Sequence, residues 1–204
     1  MQVNTLQVGP LQTNCYILSA EDATAVLIDP GDDADRILQY VRMQGLSVKG
    51  IWLTHGHYDH VNAVKALKTA FGCPIVACRA ESVLLADAGL NLSLSFVGVP
   101  LDVTADVLYD DGDTFTFGGE MVTVLHTPGH TSGSCCYMVD QLLFTGDTLF
   151  CGSIGRTDFP TGDMQAIRLS LQRLASLKGE YTVLPGHGAA TSLSAERRAN
   201  PYLI

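Results

Sequence analysis

Apolar residues fall along the chain in short blocks, broken by Gly-, Asp- and Pro-rich stretches. The opening blocks LQVG, CYILSA and TAVLID predict three strands. The period then changes. In PGDDADRILQYVRMQG, Ile37, Leu38 and Val41 share a helical face, the preceding Asp residues offer an N-cap, and Gly45 is a stop. KGIWLT reads as a buried strand. HVNAVKALKTAFG returns to helical spacing, with Val61, Val64, Leu67 and Phe71 on one face and an end at Gly72. CPIVAC is a further short strand.

Residues 80–108 are less regular. AESVLLADAG predicts a helix, whereas NLSLSFVGVPLDVTAD keeps no clean period and is expected to form an irregular lid or insertion. TFTFGGEMVTVLHT predicts a hairpin turning at Gly118-Gly119. CCYMVD and QLLFTGD predict a second strand pair, followed by the Gly-rich loop CGSIGRTDFPTG. In DMQAIRLSLQRLASLKG, Met164, Ile167, Leu171 and Leu174 step by three and four behind an Asp163 cap, with Gly179 as the close. YTVLPGHG is strand and loop, and SAERRAN a short last helix. The sum is a mixed α/β chain whose sheets pack together with helices outside.

The 204 residues fit one domain, 1–204, large enough to bury a core without disulfides or structural metal. A net charge of −9 speaks against broad binding to nucleic acid or an anionic membrane surface. MQVNTLQVGP has no basic n-region, and no stretch approaches the roughly 18 apolar residues of a membrane span, so a cytoplasmic protein is expected. The six cysteines form no C-x-x-C pair and read as small buried hydrophobes in a reducing compartment, with Cys151 nearest the polar loops.

The polar residues concentrate in a few loops. LTHGHYDH gathers His55, His57, Asp59 and His60 directly after an apolar run. His130 in TPGHT, Asp147 in TGDT and His187 in PGHG occupy similar places after predicted strands. Loops at strand ends converge readily, and functional residues concentrate there. Imidazoles and carboxylates suit zinc, iron and manganese. Seven such ligands exceed one ion and match two, roughly 3.5–4 Å apart and bridged by a carboxylate and a water. His126 reads as a hydrogen-bonded supporting or core histidine, and Tyr58 as pocket wall with a phenol able to donate to a substrate.

THGHYDH, TPGHT, FTGDT and PGHG, in this order, resemble the metallo-β-lactamase fold superfamily over nearly the whole chain. GDTLFCGSIGRTDFPTGD and VGPLQTNCYIL resemble the glyoxalase II-like hydrolases, especially their short bacterial branch. The resemblance implies an α/β fold, a four-layer αββα sandwich with a two-metal site along one edge of the sheets. It assigns His55, His57 and His130 to one ion, Asp59, His60 and His187 to the other, and Asp147 to the bridge. It implies two divalent ions, zinc first and iron or manganese as alternatives. A hydroxide held between them would attack the carbonyl of a small thioester, with Asp147 and Asp59 as the catalytic carboxylates.

True zinc β-lactamases typically carry cysteine in the stretch of Asp147, which speaks against antibiotic hydrolysis. Full-length glyoxalase II enzymes also carry a C-terminal helical region that grips glutathione, and here the chain stops 17 residues after His187. Arg156 either binds a substrate carboxylate or pairs with Asp158 or a neighbouring acid. The alternatives are an iron-dependent persulfide dioxygenase, which needs two histidines and one aspartate, and a nuclease of the same superfamily. A non-catalytic metal-binding module is the reading from outside enzymology. The expected partner is a small thioester, with no nucleic acid and no membrane.

Overall fold

Successive residues of a strand point to opposite faces of its sheet, and both faces are apolar here. On the strand Thr13–Ser19, Cys15 and Ile17 pack with one cluster while Tyr16 and Leu18 pack with another. The computed structural model, which describes residues 1–203, resolves this double alternation into four layers.

The first sheet contains β1 (Gln2–Val8), β2 (Thr13–Ser19), β3 (Thr24–Ile28), β4 (Ser47–Trp52), β5 (Ile75–Cys78) and β6 (Val107–Tyr109), paired in that order. β1, β2 and β3 are antiparallel neighbours, and β3 to β6 run parallel. The crossovers are α1 (Ala34–Met43), then α2 (Tyr58–Val61) with α3 (Val64–Phe71), then α4 (Ser82–Ala86) with α5 (Ser93–Phe96). The second sheet holds β7 (Thr114–Phe117), β8 (Glu120–His126), β9 (Cys135–Val139) and β10 (Leu142–Gly146). A small hairpin, β11 (Leu149–Phe150) and β12 (Ser153–Ile154), and α6 (Met164–Ala175) lead to β13 (Thr182–Pro185), β14 (Thr191–Ser192) and α7 (Leu193–Ala199). β13 lies parallel to β10, which it joins in an order β14-β13-β10-β9-β8-β7.

Tyr16, Leu18, Val26, Ile28, Trp52 and Val76 of the first sheet meet Val122, Val124, Tyr137, Val139 and Phe144 of the second. Ile37, Val41, Val64 and Leu67 cover the outer face of the first sheet, and Ile167, Leu171, Leu174 and Leu193 that of the second. Parallel strands buried on both faces read as continuous apolar runs, as KGIWLT and CPIVAC do. The architecture is the expected αββα sandwich.

Local rules hold at several places. The β7–β8 turn falls at Gly118-Gly119, with φ of 57° and 86°, the left-handed pair that a two-residue hairpin requires. The Asp163 carboxylate accepts from Ala166 N at 2.8 Å and caps α6. Other expectations are corrected. Asp33 precedes α1 in a left-handed conformation without capping it, and its carboxylate accepts instead from Gly9 N at 3.0 Å. The helix expected from residue 60 to 72 breaks into α2 and α3. AESVLLADAG carries its expected helix as α4, whereas the stretch expected to be irregular holds α5 and leads directly into the edge strand β6. Asn91 ties that segment down: its carbonyl accepts from Tyr58 N at 2.9 Å and its side chain donates to Leu101 O at 2.8 Å.

Trp52 is the aromatic hub between the sheets, with ring centroids 5.1, 5.6 and 5.3 Å from Phe115, Phe117 and Tyr137. Trp52→Ala is expected to destabilise the fold by about 3–5 kcal/mol. Because Trp52 is the sole tryptophan, urea unfolding is to be followed by circular dichroism. An unchanged midpoint would show that the sheets do not depend on this contact.

Candidate metal centre

Five strand ends deliver polar side chains to one edge of the sandwich. β3 leads to Asp29, β4 to His55 and His57, β8 to His130, β10 to Asp147 and β13 to His187. Asp59 and His60 lie within α2, so the turn of that helix rather than extended chain directs them. The seven predicted residues all reach the same place.

His55, His57 and His130 form one group, with candidate ligand atoms within 4.8 Å of one another. His57 Nδ1 faces His130 Nε2 at 2.9 Å. The Nδ1 of His130 donates to the carbonyl of Arg156 at 2.7 Å, which leaves its Nε2 with a lone pair. Asp59, His60 and His187 form the second group within the same 4.8 Å limit. His60 Nε2 lies 3.3 Å from His187 Nε2, and Asp59 Oδ2 lies 3.2 Å from His187 Nε2. Asp147 sits between the groups. One of its oxygens is 3.4 Å from His60 Nε2, and the other is 3.5 Å from His130 Nε2 and 3.7 Å from His187 Nε2.

This donor set fits divalent cations. His55 Nε2, His57 Nε2 and Asp147 Oδ1 are buried and make no hydrogen bond among the described residues. Buried polar groups of this kind are costly unless something compensates them. Burial, reinforced by neighbouring imidazoles, holds His55 well below its ordinary pKa. Burial with His130 nearby lowers His57 to about 3, so both imidazoles are neutral and able to ligate. In the second group burial opposes charge, but Asp59, Asp147 and Asp29 outweigh it and raise His60 to about 10. Burial likewise works against an ionised Asp59, and the His60 and His187 imidazoles overcome it and keep its carboxyl low.

A supporting set escaped the sequence reading. Asp29 is 2% exposed and accepts from Thr54 N at 2.8 Å, Thr54 Oγ1 at 2.5 Å and His60 Nδ1 at 3.0 Å. These contacts fix the His60 tautomer and aim Nε2 into the site. Asp29 could have been noticed because it too closes an apolar strand block, TAVLID, but a single strand-end aspartate without a neighbouring histidine carries no ligand motif. Leu11 O faces His187 Nδ1 at 3.2 Å, and Thr13 Oγ1 donates to Asp59 Oδ2 at 3.1 Å. Glu81 links the loops of the first group by accepting from Gly56 N at 2.8 Å and Thr131 Oγ1 at 3.0 Å. Gly186 permits the closure: a Cβ there would stand 2.2 Å from Asp147 Oδ1 and 2.7 Å from His60 Cε1.

The remaining candidates fall outside the cluster. His126 Nε2 faces Ser132 O at 2.9 Å, a supporting contact as expected. Arg156 donates to both oxygens of Asp158 at 2.6 and 2.7 Å, which is the pairing alternative. Tyr58 lines the cavity beside the cluster. Five cysteines are buried as expected and Cys151 is exposed.

Two predictions follow from the supporting set. Asp29→Asn keeps the shape and removes the charge behind His60. It is expected to lower affinity for the cation of the second group by about 10–100-fold, read by chelator competition; unchanged affinity would remove Asp29 from the site. Burial pushes Glu81 up to about 7 despite its donors, above the ~4.3 of an unfolded glutamate. The folded state therefore holds this proton more tightly, and the contribution to stability is lost as pH rises from about 4.3 to about 7. The metal-free Glu81→Gln variant is expected to gain on the parent through that window in urea titrations, and parallel pH profiles would contradict the assignment.

The sequence matches the Metallo-beta-lactamase superfamily over residues 8–187. The hydroxyacylglutathione hydrolase GloC of Haemophilus influenzae is 34% identical over 212 residues, an alignment covering 100% of this chain and 98% of GloC. The crystal structure of the BLEG-1 B3 metallo-beta-lactamase matches with a TM-score of 0.94 at 36% identity over 99% of both chains. TTHA1623 in a di-iron-bound form matches with a TM-score of 0.85 at 36% identity, over 98% of this chain and 100% of the other. ETHE1 from Myxococcus xanthus gives 0.82 at 33% identity, over 98% of this chain and 84% of its own. With its αββα layers and its histidine- and aspartate-rich edge, this chain belongs to the metallo-beta-lactamase superfamily.

Proposed function

We propose that the protein is a dinuclear metal-dependent hydrolase of small thioesters. The observation that carries this reading is the position of Asp147, whose two oxygens lie 3.4–3.7 Å from imidazole nitrogens of both groups. In this reading His55, His57 and His130 hold one divalent ion, Asp59, His60 and His187 hold the other, and Asp147 spans them. When bound, two such cations supply a water acidic enough to deprotonate near neutral pH and an electrophile for the carbonyl oxygen. The residues of the chain do the rest. Asp29 and the carbonyls of Arg156 and Leu11 hold three imidazoles in register. Thr13 fixes one oxygen of Asp59, so that this carboxylate orients rather than wanders. Zinc is the leading metal in this reading, and the di-iron form of TTHA1623 supports iron beside it.

The likeness to GloC supports a thioester. GloC, of which this chain covers 98%, carries the hydroxyacylglutathione hydrolase name and so supports a glutathione conjugate among the thioesters. BLEG-1 supports a second reading, β-lactam hydrolysis, against the expectation drawn from Asp147. The likeness to ETHE1 supports iron-dependent persulfide oxidation as a further alternative.

Purified protein of measured metal content is expected to hydrolyse S-lactoylglutathione or simpler thioesters, followed as loss of thioester absorbance, and to stop when the metal is chelated. Asp147→Ala is expected to lower kcat by roughly 100-fold or more, beyond the usual effect of removing an outer-shell partner. Turnover confined to a β-lactam, or oxygen uptake with a persulfide, would replace the proposal by the corresponding alternative. An Asp147→Ala protein with both metals and full rate would refute the bridge.

A further inference from the structure

The cavity over the metal centre has walls that fit one kind of substrate. Its volume is about 590 Å³, within the ~300–1,000 Å³ of small-molecule sites. One wall is a row of rings. Tyr58 stacks on Phe96 at 5.7 Å, Phe96 meets Phe159 edge-on at 6.1 Å, and Phe159 meets the candidate ligand His57 at 5.9 Å. On the opposite flank Phe150 lies 6.2 Å from His187, and Leu11 and Ile154 complete that side. The row starts at the rim, where Phe96 is 59% exposed and Leu11 51% exposed.

Away from the metal centre, the cavity offers an acyl-group carboxylate no unpaired basic side chain among the described residues. Among the described residues, Arg156 is the one Lys or Arg lining it. Its Nε and Nη2 are both given to Asp158, at 2.6 and 2.7 Å, and its guanidinium carbon lies 3.8 Å from the centre of the Phe159 ring. The guanidinium is thus paired, and its face is used as an extension of the aromatic wall. Asp59 and Asp147 also line the cavity, where the cations of the proposed centre would take up their charge, so neither is free to select the acyl group.

We infer that the substrate of this site carries an uncharged, apolar acyl group, aryl or branched alkyl, lying along the Tyr58–Phe96–Phe159 wall. The inference rests on the thioester-hydrolase reading above and adds the substrate class. The reaction stays balanced: water adds to the acyl carbon, the C–S bond breaks, and the thiolate leaves with the electron pair and takes up a proton. The products are a carboxylate, a thiol and a proton.

The test keeps one neutral leaving group, N-acetylcysteamine, and varies the acyl group on metal-loaded protein. Phenylacetyl is expected to exceed acetyl in kcat/KM by about 10-fold or more, and succinyl is expected to be the poorest. Phe96→Ala should reduce the phenylacetyl-to-acetyl ratio several-fold; Phe96 is exposed, and circular dichroism verifies that the variant is folded. Asp158→Asn releases Arg156 and should improve succinyl relative to phenylacetyl. Binding of the uncleavable phenethyl thioether, measured by calorimetry, gives a readout independent of turnover. Preference for succinyl or S-lactoylglutathione over phenylacetyl would overturn the inference, as would failure of the thioether to bind. Thioether binding without turnover of any thioester would leave the apolar site standing and remove the hydrolase reading.

Discussion

The geometry of the centre hangs on one buried contact, Asp29 between Thr54 and His60. Parallel pairing of β3 with β4 brings the two strand ends together, and Asp29 N continues that pairing by donating to Trp52 O at 3.0 Å. Asp29 has a φ of 50°, a left-handed conformation that an aspartate tolerates better than most residues. That turn swings its carboxylate back under Thr54 and His60. A buried carboxylate is stable only when fully engaged, and this one accepts from two groups of Thr54 and one of His60. The same contacts fix which His60 nitrogen is free. Backbone register in the first sheet is thereby converted into the direction of a ligand.

The two sheets contribute differently to the edge. The first supplies Asp29, His55 and His57 from strand ends, with Asp59 and His60 one helical turn further. The second supplies His130, Asp147 and His187 from three separate loops. Neither sheet alone assembles either group, since His130 completes the first and His187 the second. The inter-sheet core around Trp52 and Tyr137 is therefore part of the site's construction. Tyr137 reinforces it directly by donating to Leu53 O at 3.0 Å, just before the His55 loop.

Much of this was legible in the sequence because the signals were local. Short apolar runs bounded by turn residues marked β2 and β4, helical spacing marked α3 and α6, and Gly118-Gly119 marked a turn that few other residues make. The ligand set was legible because His55, His57, Asp59 and His60 are clustered and the remaining three sit in short Gly-flanked loops. What the sequence hid depends on tertiary contact. Asp29 was only the last residue of the strand block TAVLID, and its role exists only beside Thr54 and His60. Glu81 lay in a predicted helix and gains its meaning from Gly56 and Thr131, 25 and 50 residues away in the chain. β6 was hidden within an aperiodic stretch because a three-residue edge strand is too short to establish a period. Asp33 failed as a cap because Gly9, from another part of the chain, engaged its carboxylate.

The two halves of the centre are chemically unequal, and the inequality follows from where carboxylates are placed. His55 and His57 face other imidazoles and apolar surroundings, so burial keeps them neutral and their lone pairs ready. His60 faces three carboxylates, which outweigh its burial and raise it to about 10, and His187 is raised as well by Asp59 and Asp147. Without a cation, a proton is the positive charge those carboxylates demand. Ligation requires the free base, so protons and cations compete chiefly at the Asp59–His60–His187 group and much less at the three-histidine group. Asp147, reaching both, carries that competition to the point where the two groups meet.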